Sequence, residues 1–145
     1  MLLGETCSAD SVNFEQVARE VCRQVGYTSE AVGLDCANCQ VITNIEAQDA
    51  NIAAAVHASG QTEEDTGAGD QGLMFGYATN EWDTEILHPY SHYLANKLGE
   101  EMAIKRKNGS IGWLRPDCKT QVIVEYRNDN GKMVPLRVYN ILIST

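Results

Sequence analysis

The sequence predicts an α+β fold: two partial β/α units whose sheets carry helices on one face. Three stretches lead to that reading. Residues 13 to 26, NFEQVAREVCRQVG, set Phe14, Val17, Ala18, Val21, Cys22 and Val25 at helical spacing, with Glu15, Arg19, Glu20 and Arg23 between them. After Pro89, Tyr90, Leu94, Leu98 and Met102 recur every four residues, Tyr93 widens the stripe, and the chain stays helical to about Lys107. Residues 120 to 144, TQVIVEYRNDNGKMVPLRVYNILIS, read as two strands around a turn at Asp129 to Gly131.

Taken in order, Met1 to Cys7 is best suited to a strand. Asn13 with Gln16 three positions on reads as the N-cap and capping box of the first helix, and Gly26 as its stop. CQVITNIE, residues 39 to 46, is short and β-branched, as a strand requires. From Ala47 to Gly69 the pattern supports no firm element beyond a brief helical turn, and loops of about 20 residues in compact domains are uncommon and usually either functional or disordered. Residues 72 to 79 are apolar and aromatic and read as a buried strand. Asn108-Gly109 ends the second helix. The two halves match in outline, yet no sequence repeat supports duplication.

Charge narrows the partners. Residues 1 to 69 hold eleven acids against two bases, and 70 to 145 hold nine against nine, for a net charge of −9. Such a chain repels phosphate backbones and anionic headgroups, so neither nucleic acid nor a membrane surface is expected as a partner. No apolar run approaches the roughly 20 residues of a membrane helix, and Met1-Leu2-Leu3 is too short for a signal segment. The expected location is cytoplasmic. Five irregularly spaced cysteines fit reduced thiols better than a disulfide framework.

Several motifs bear chemistry. GAGDQG, residues 67 to 72, leads into an apolar stretch rather than a helix, so it is neither a P-loop nor a dinucleotide fingerprint. It reads as a plain bend, or as small residues that let a ligand's ammonium come close to Asp70. In WLRPDCKTQ, residues 113 to 121, Asp117 and Lys119 share a face if the strand has begun there. They read as a surface ion pair, or as a carboxylate for a sugar hydroxyl beside a cation for a phosphate. Cys36 and Cys39 form a C-x-x-C that precedes a strand, where redox motifs normally follow one; a loop thiol and a buried thiol are expected. His57, His88 and His92 lack zinc-ligand spacing, and His88 and His92 are expected to be solvated. Lys105-Arg106-Lys107 suits the last turn of a helix, facing its dipole.

Together, GAGDQGLMFGYATNE (67 to 81) and WLRPDCKTQVIVEY (113 to 126) resemble S-adenosylmethionine synthetase (methionine adenosyltransferase). GET at 4 to 6, CQVITNIEAQ at 39 to 48, RKNG at 106 to 109 and ILIST at 141 to 145 follow in the family's order. The resemblance implies a cytoplasmic transferase that makes S-adenosylmethionine from ATP and L-methionine, releasing phosphate and diphosphate, with Mg2+ and K+ as cofactors. By position, Glu5, Gln48 and Asp70 match the methionine-holding groups; Asp117 and Lys119 match the nucleotide side, with Lys119 catalytic against the departing polyphosphate. Residues 1–48 would be the later part of an N-terminal-type domain, 49–69 the gating loop, and 70–145 the earlier part of a central-type domain. Family subunits pair through flat sheet faces, so a homodimer or higher oligomer is expected.

The resemblance also marks departures. Family members are longer. The HPDK region, with its magnesium-binding and leaving-group residues, and the glycine-rich phosphate segment have no counterpart here, so metal ligands are not expected in this chain and the isolated chain is expected to be inactive. AQDAN, residues 47 to 51, replaces the family's QQSPD, and Trp82 replaces a small residue before a segment about two residues longer. The alternative reading is a non-catalytic relative that binds nucleotide or methionine, or pairs with a full-length synthetase.

Overall fold

The computed structural model describes residues 1–57, 62 and 68–145. Residues 58–61 and 63–67 of the 49–69 segment expected to form a gating loop, Gly67 among them, lie outside the described residues, as does the side chain of His57. Strand β1 (Leu2–Thr6) leads to helix α1 (Phe14–Val25), and a small hairpin of β2 (Thr28–Ser29) and β3 (Leu34–Asp35) returns the chain to β4 (Thr43–Ala47). β1 and β4 pair in parallel, from Leu2 opposite Thr43 to Thr6 opposite Ala47. Parallel neighbours need a crossover, and α1 with the hairpin supplies it.

The caps of α1 are the expected ones. Asn13 Oδ1 accepts from the Gln16 N–H at 3.0 Å, and Gly26 ends the helix at φ 116°, a left-handed conformation that costs glycine least. Arg106 donates to Val25 O at 2.6 Å. Its guanidinium fills the space over Gly26, where an added Cβ would stand 2.3 Å from Arg106 Nη1. The basic run at the end of the second long helix therefore also ties the two halves together. On α1 itself, Val17, Val21 and Val25 stay exposed, so one edge of its apolar stripe is uncovered.

Helix α2 (Ala50–His57) is longer than the brief turn expected. Asp49 starts it: Oδ1 accepts from the Asn51 N–H at 2.8 Å, and Asp49 O accepts from the Ala53 N–H at 2.9 Å. AQDAN, without the family's proline, is thus a capped helix start.

Residues 72 to 79 are not a buried strand. They pair with no strand among the described residues, and Leu73, Met74, Phe75 and Tyr77 are 77 to 95% exposed. Apolar composition favours burial, but a strand also needs a neighbour for its backbone N–H and C=O groups. The strand pairs among the described residues are β1–β4, β2–β3 and a hairpin near the end of the chain, and none has its edge on this segment.

Helix α3 (Tyr90–Lys107) and the hairpin of β5 (Lys119–Asp129) and β6 (Lys132–Ser144) form the second unit. Asn108 caps α3, and Gly109 at φ 76° turns the chain away. Asn130 and Gly131, at φ 54° and 93°, make the tight turn between the strands. α3 lies on one face of the hairpin: Val122 and Val124 are buried, and Thr120 Oγ1 donates to Ala95 O at 2.8 Å. With Cys36 and Leu114, these valines make up the buried apolar core among the described residues.

Candidate functional site

Two groups of residues were expected to bear function, and they lie in different units. The first sits where β1 and β4 end. Glu5 stands opposite Glu46 in the parallel register, and the Gln48 N–H donates to Thr6 O at 3.1 Å, extending the ladder one step beyond β4. The Gln48 side chain is half-buried and reaches the glycine loop: Nε2 lies 3.7 Å from the place a Cβ on Gly69 would occupy. Asp70 follows directly, exposed, with Oδ1 accepting from the Gln71 N–H at 2.6 Å.

Neither Gly69 nor Gly72 has positive φ, and a Cβ on Gly69 would meet Gln48 Nε2 at an ordinary van der Waals distance, so neither the backbone nor the contact with Gln48 demands glycine at 69. Glu46 escaped the sequence reading. Strands lie about 4.8 Å apart, so Glu5 and Glu46 hold neighbouring positions across the parallel pair, both exposed.

A cleft of about 650 Å³ opens beside this end, between the Thr6–Phe14 segment and β4, with Asp10 and Glu46 on its walls. Glu5, Gln48 and Asp70 do not line it, so it is a neighbour of the expected methionine groups rather than their pocket.

The second group is hung from a buried side chain. Leu114 is 5% exposed, and Arg115 folds back so that Nη1 reaches the carbonyls of Gly112, Trp113 and Leu114 at 3.3 to 3.4 Å. β5 starts at Lys119, opposite Ser144, so Asp117 lies before the strand and is held by its backbone, with Thr145 Oγ1 donating to Asp117 O at 3.5 Å. Both side chains are exposed. Among the described residues no ion pair joins them, and no hydrogen bond or ion pair links either one to Glu5, Gln48 or Asp70.

A polar and aromatic knot connects the Asp70 loop to β5. Glu81 Oε1 accepts from the Tyr90 N–H at 2.6 Å and from Tyr126 Oη at 2.7 Å, which caps α3 and pins the loop to the hairpin. Trp82 Nε1 donates to His88 O at 2.7 Å, and its ring packs against Tyr90 and Tyr93. Burial, and next the bond to Glu81, hold the Tyr126 hydroxyl above the usual phenol range. In the longer segment after Trp82, the Asp83 carboxylate takes the N–H groups of Glu85 and Ile86, which hold it below the usual carboxylate range.

His88 is not solvated as expected: its Nε2 is buried and, among the described residues, has no hydrogen-bond partner. Trp82 draws the residue inward through its carbonyl. Sequence reasoning flagged Trp82 as a departure but had no signal for Glu81 or Tyr126, which lie 45 residues apart.

Among the described residues no three His, Cys, Asp or Glu side chains stand together in a way that could hold a metal ion. No helix among them is long and apolar enough to cross a membrane. The family model described as S-adenosylmethionine synthetase, central domain, matches residues 65–145.

Proposed function

Because the chain belongs to the S-adenosylmethionine synthetase family, we propose that it takes part in forming S-adenosylmethionine from ATP and L-methionine. In that reaction the methionine sulfur attacks C5′ of the ribose, the bond from C5′ to the triphosphate oxygen breaks, and the triphosphate is then split into phosphate and diphosphate. The single observation that carries the reading is a family match that spans Asp70, Asp117 and Lys119 together.

Each residue's role follows from its charge and place. Asp70 and Glu5 oppose the ammonium of methionine, and the Gln48 amide next to Gly69 orients the amino acid. Asp117 accepts from the ribose hydroxyls. Lys119 meets the negative charge that grows on the leaving polyphosphate, the place where a fixed cation lowers a barrier most. Magnesium and potassium would spread polyphosphate charge, but with no three suitable ligands together among the described residues, none of these roles is routed through a metal.

In this reading residues 1–48 belong to an N-terminal-type domain, 49–69 to the gating loop and 70–145 to a central-type domain, in a cytoplasmic protein. The methionine and nucleotide groups do not touch within one copy, which supports a site completed by a second copy of the chain.

The test uses the protein at its full native length. Asp70→Asn keeps shape and removes charge, so KM for methionine should rise while KM for ATP changes little. Lys119→Met should mainly lower kcat, because its partner charge develops as the bond breaks. One charge-assisted hydrogen bond is worth roughly 1.5 to 3 kcal/mol, about tenfold to a hundredfold in the constant affected. If both variants lose only stability and keep wild-type constants in the folded fraction, these residues are scaffold and the assignment fails.

A further inference from the structure

The C-x-x-C motif lies elsewhere in the fold, and its surroundings differ from those the sequence suggested. It follows β3 directly, and residues 35 to 39 close a single helical turn: Asp35 O accepts from the Cys39 N–H at 2.8 Å and the Asn38 N–H at 3.3 Å. The Asp35 carboxylate caps that turn through the Ala37 N–H at 2.9 Å and Asn38 Nδ2 at 2.7 Å. Residues three apart on such a turn share a side, with Cβ atoms about 5 to 6 Å apart. A disulfide needs about 3.5 to 4.5 Å, so a closure of about 1 to 2 Å joins them. No helix follows to resist it, since residues 40 to 42 are irregular.

A cation is built against this turn. Arg19 Nη1 donates to Cys36 O at 2.8 Å, to Ala37 O at 3.1 Å and to Cys39 Sγ at 3.6 Å. Glu15 holds the other edge of the guanidinium at 2.7 and 3.0 Å. Among the described residues, the sulfurs of Cys7, Cys22 and Cys118 have no such contact. Cys39 is half-buried and lines a shallow cleft of about 250 Å³ with Glu30, Gly33, Leu34, Asp35 and Asn38, while Cys36 is 7% exposed and does not line it. One thiol is thus within reach of a small solute, and the other is shielded from solvent and near the first.

We propose that Cys36 and Cys39 form a peroxide-sensitive thiol pair, with Cys39 attacking and Cys36 resolving. The Cys39 sulfur attacks one oxygen of hydrogen peroxide, the O–O bond breaks, and the other oxygen leaves as water with the thiol proton, giving a sulfenic acid. The charge on the attacking sulfur is met by Arg19. Cys36 then attacks the Cys39 sulfur; the S–S bond forms, the S–O bond breaks, and a second water leaves with the Cys36 proton. Two thiols give up two electrons and one peroxide takes them. The disulfide fixes the turn that Arg19 ties to α1 and that the Cys36 N–H ties to Tyr27 O, just before β2.

The test exposes purified protein to hydrogen peroxide, then blocks remaining thiols, digests it and weighs the peptides. The expected product is a peptide containing Cys36 and Cys39 that is lighter by two hydrogens, with two fewer free thiols per chain. In Cys36→Ser the reaction should stop at a Cys39 sulfenic acid that dimedone traps. Arg19→Met should slow thiol loss about tenfold, the ratio that follows from losing one charge-assisted bond to the attacking atom, and Arg19→Lys should restore most of the rate even if the turn loosens. Blocking of both thiols at full yield after peroxide would overturn the proposal. So would pairing of Cys39 with any other cysteine, or a dimedone adduct on Cys36 rather than Cys39.

Discussion

Asp83 and Asp70 share a chemical type and differ in what their loops ask of them. Asp83 serves its own turn, taking two backbone N–H groups at 2.7 and 2.8 Å. Asp70 takes one from its neighbour and otherwise faces water, with Gln48 close to its loop. A carboxylate with fixed donors is an anchor; one with spare acceptor sites can take a ligand. The pH dependence of stability should separate them. The Ile86 N–H, then the Glu85 N–H, hold the Asp83 carboxyl below the usual carboxylate range, so its contribution is full above pH about 4 and is lost as pH falls through its lowered value. Asp83→Asn should melt at a lower temperature than wild type at pH 7, and the gap should narrow below pH about 3. A gap of constant size from pH 7 to pH 2 would show that the charge plays no part. The sequence could not distinguish the two roles, since both aspartates sit in polar, turn-forming surroundings and only the backbone donors tell them apart.

Element by element, legibility followed whether the partner was local. Helices α1 and α3 and the closing hairpin came from periodicity, caps and turn residues close in sequence: Asn13 with Gln16, Gly26, Asn108-Gly109, Asn130-Gly131; β4 came from a short β-branched run at 39 to 46 but starts only at Thr43. The segment 72 to 79 failed because apolar character says that a residue seeks burial and is silent on whether a strand edge is present. The β2–β3 hairpin is too short to leave a period, and missing it hid the turn that holds Cys36 and Cys39. The knot around Glu81 rests on a contact with Tyr126 that no local pattern encodes. Tyr126→Phe should therefore cost about 1 kcal/mol and raise hydrogen exchange across residues 79 to 90, leaving β6 unchanged. Because the phenol is held above its usual range, its contribution is full below pH about 10 and falls as pH rises through the raised value, a loss the Phe variant lacks. Unchanged exchange at 79 to 90 would mean that the aromatic packing of Trp82, rather than the hydroxyl, holds the segment.

For the whole molecule, the exposed area is the deciding quantity. The chain presents 11,240 Å² to solvent, whereas a compact monomer of 15.9 kDa exposes about 7,400 Å². The excess is apolar in places: Val17, Val21 and Val25 on α1, the 73 to 77 segment, and the hairpin. Thr120, Val122 and Val124 face α3, so alternation turns Gln121 and Ile123 to the opposite face, where Leu142 stands across from Gln121. Ile123 and Leu142 are thus diagonal neighbours on the open face, 42% and 56% exposed. A second copy laid on that face would bury both without disturbing α3, and interfaces of obligate pairs resemble a domain core cut in half. Sedimentation at about 10 to 50 micromolar, where association constants typical of such interfaces are visible, should show a dimer or larger. Leu142→Lys adds a charge at an exposed position, so it should leave the circular dichroism unchanged and shift the population toward monomer. A monomeric wild type in that range would sink the pairing. A Leu142→Lys variant that associates as tightly as wild type would rule out this face, because a buried unpaired lysine is among the costliest groups an interface can hold.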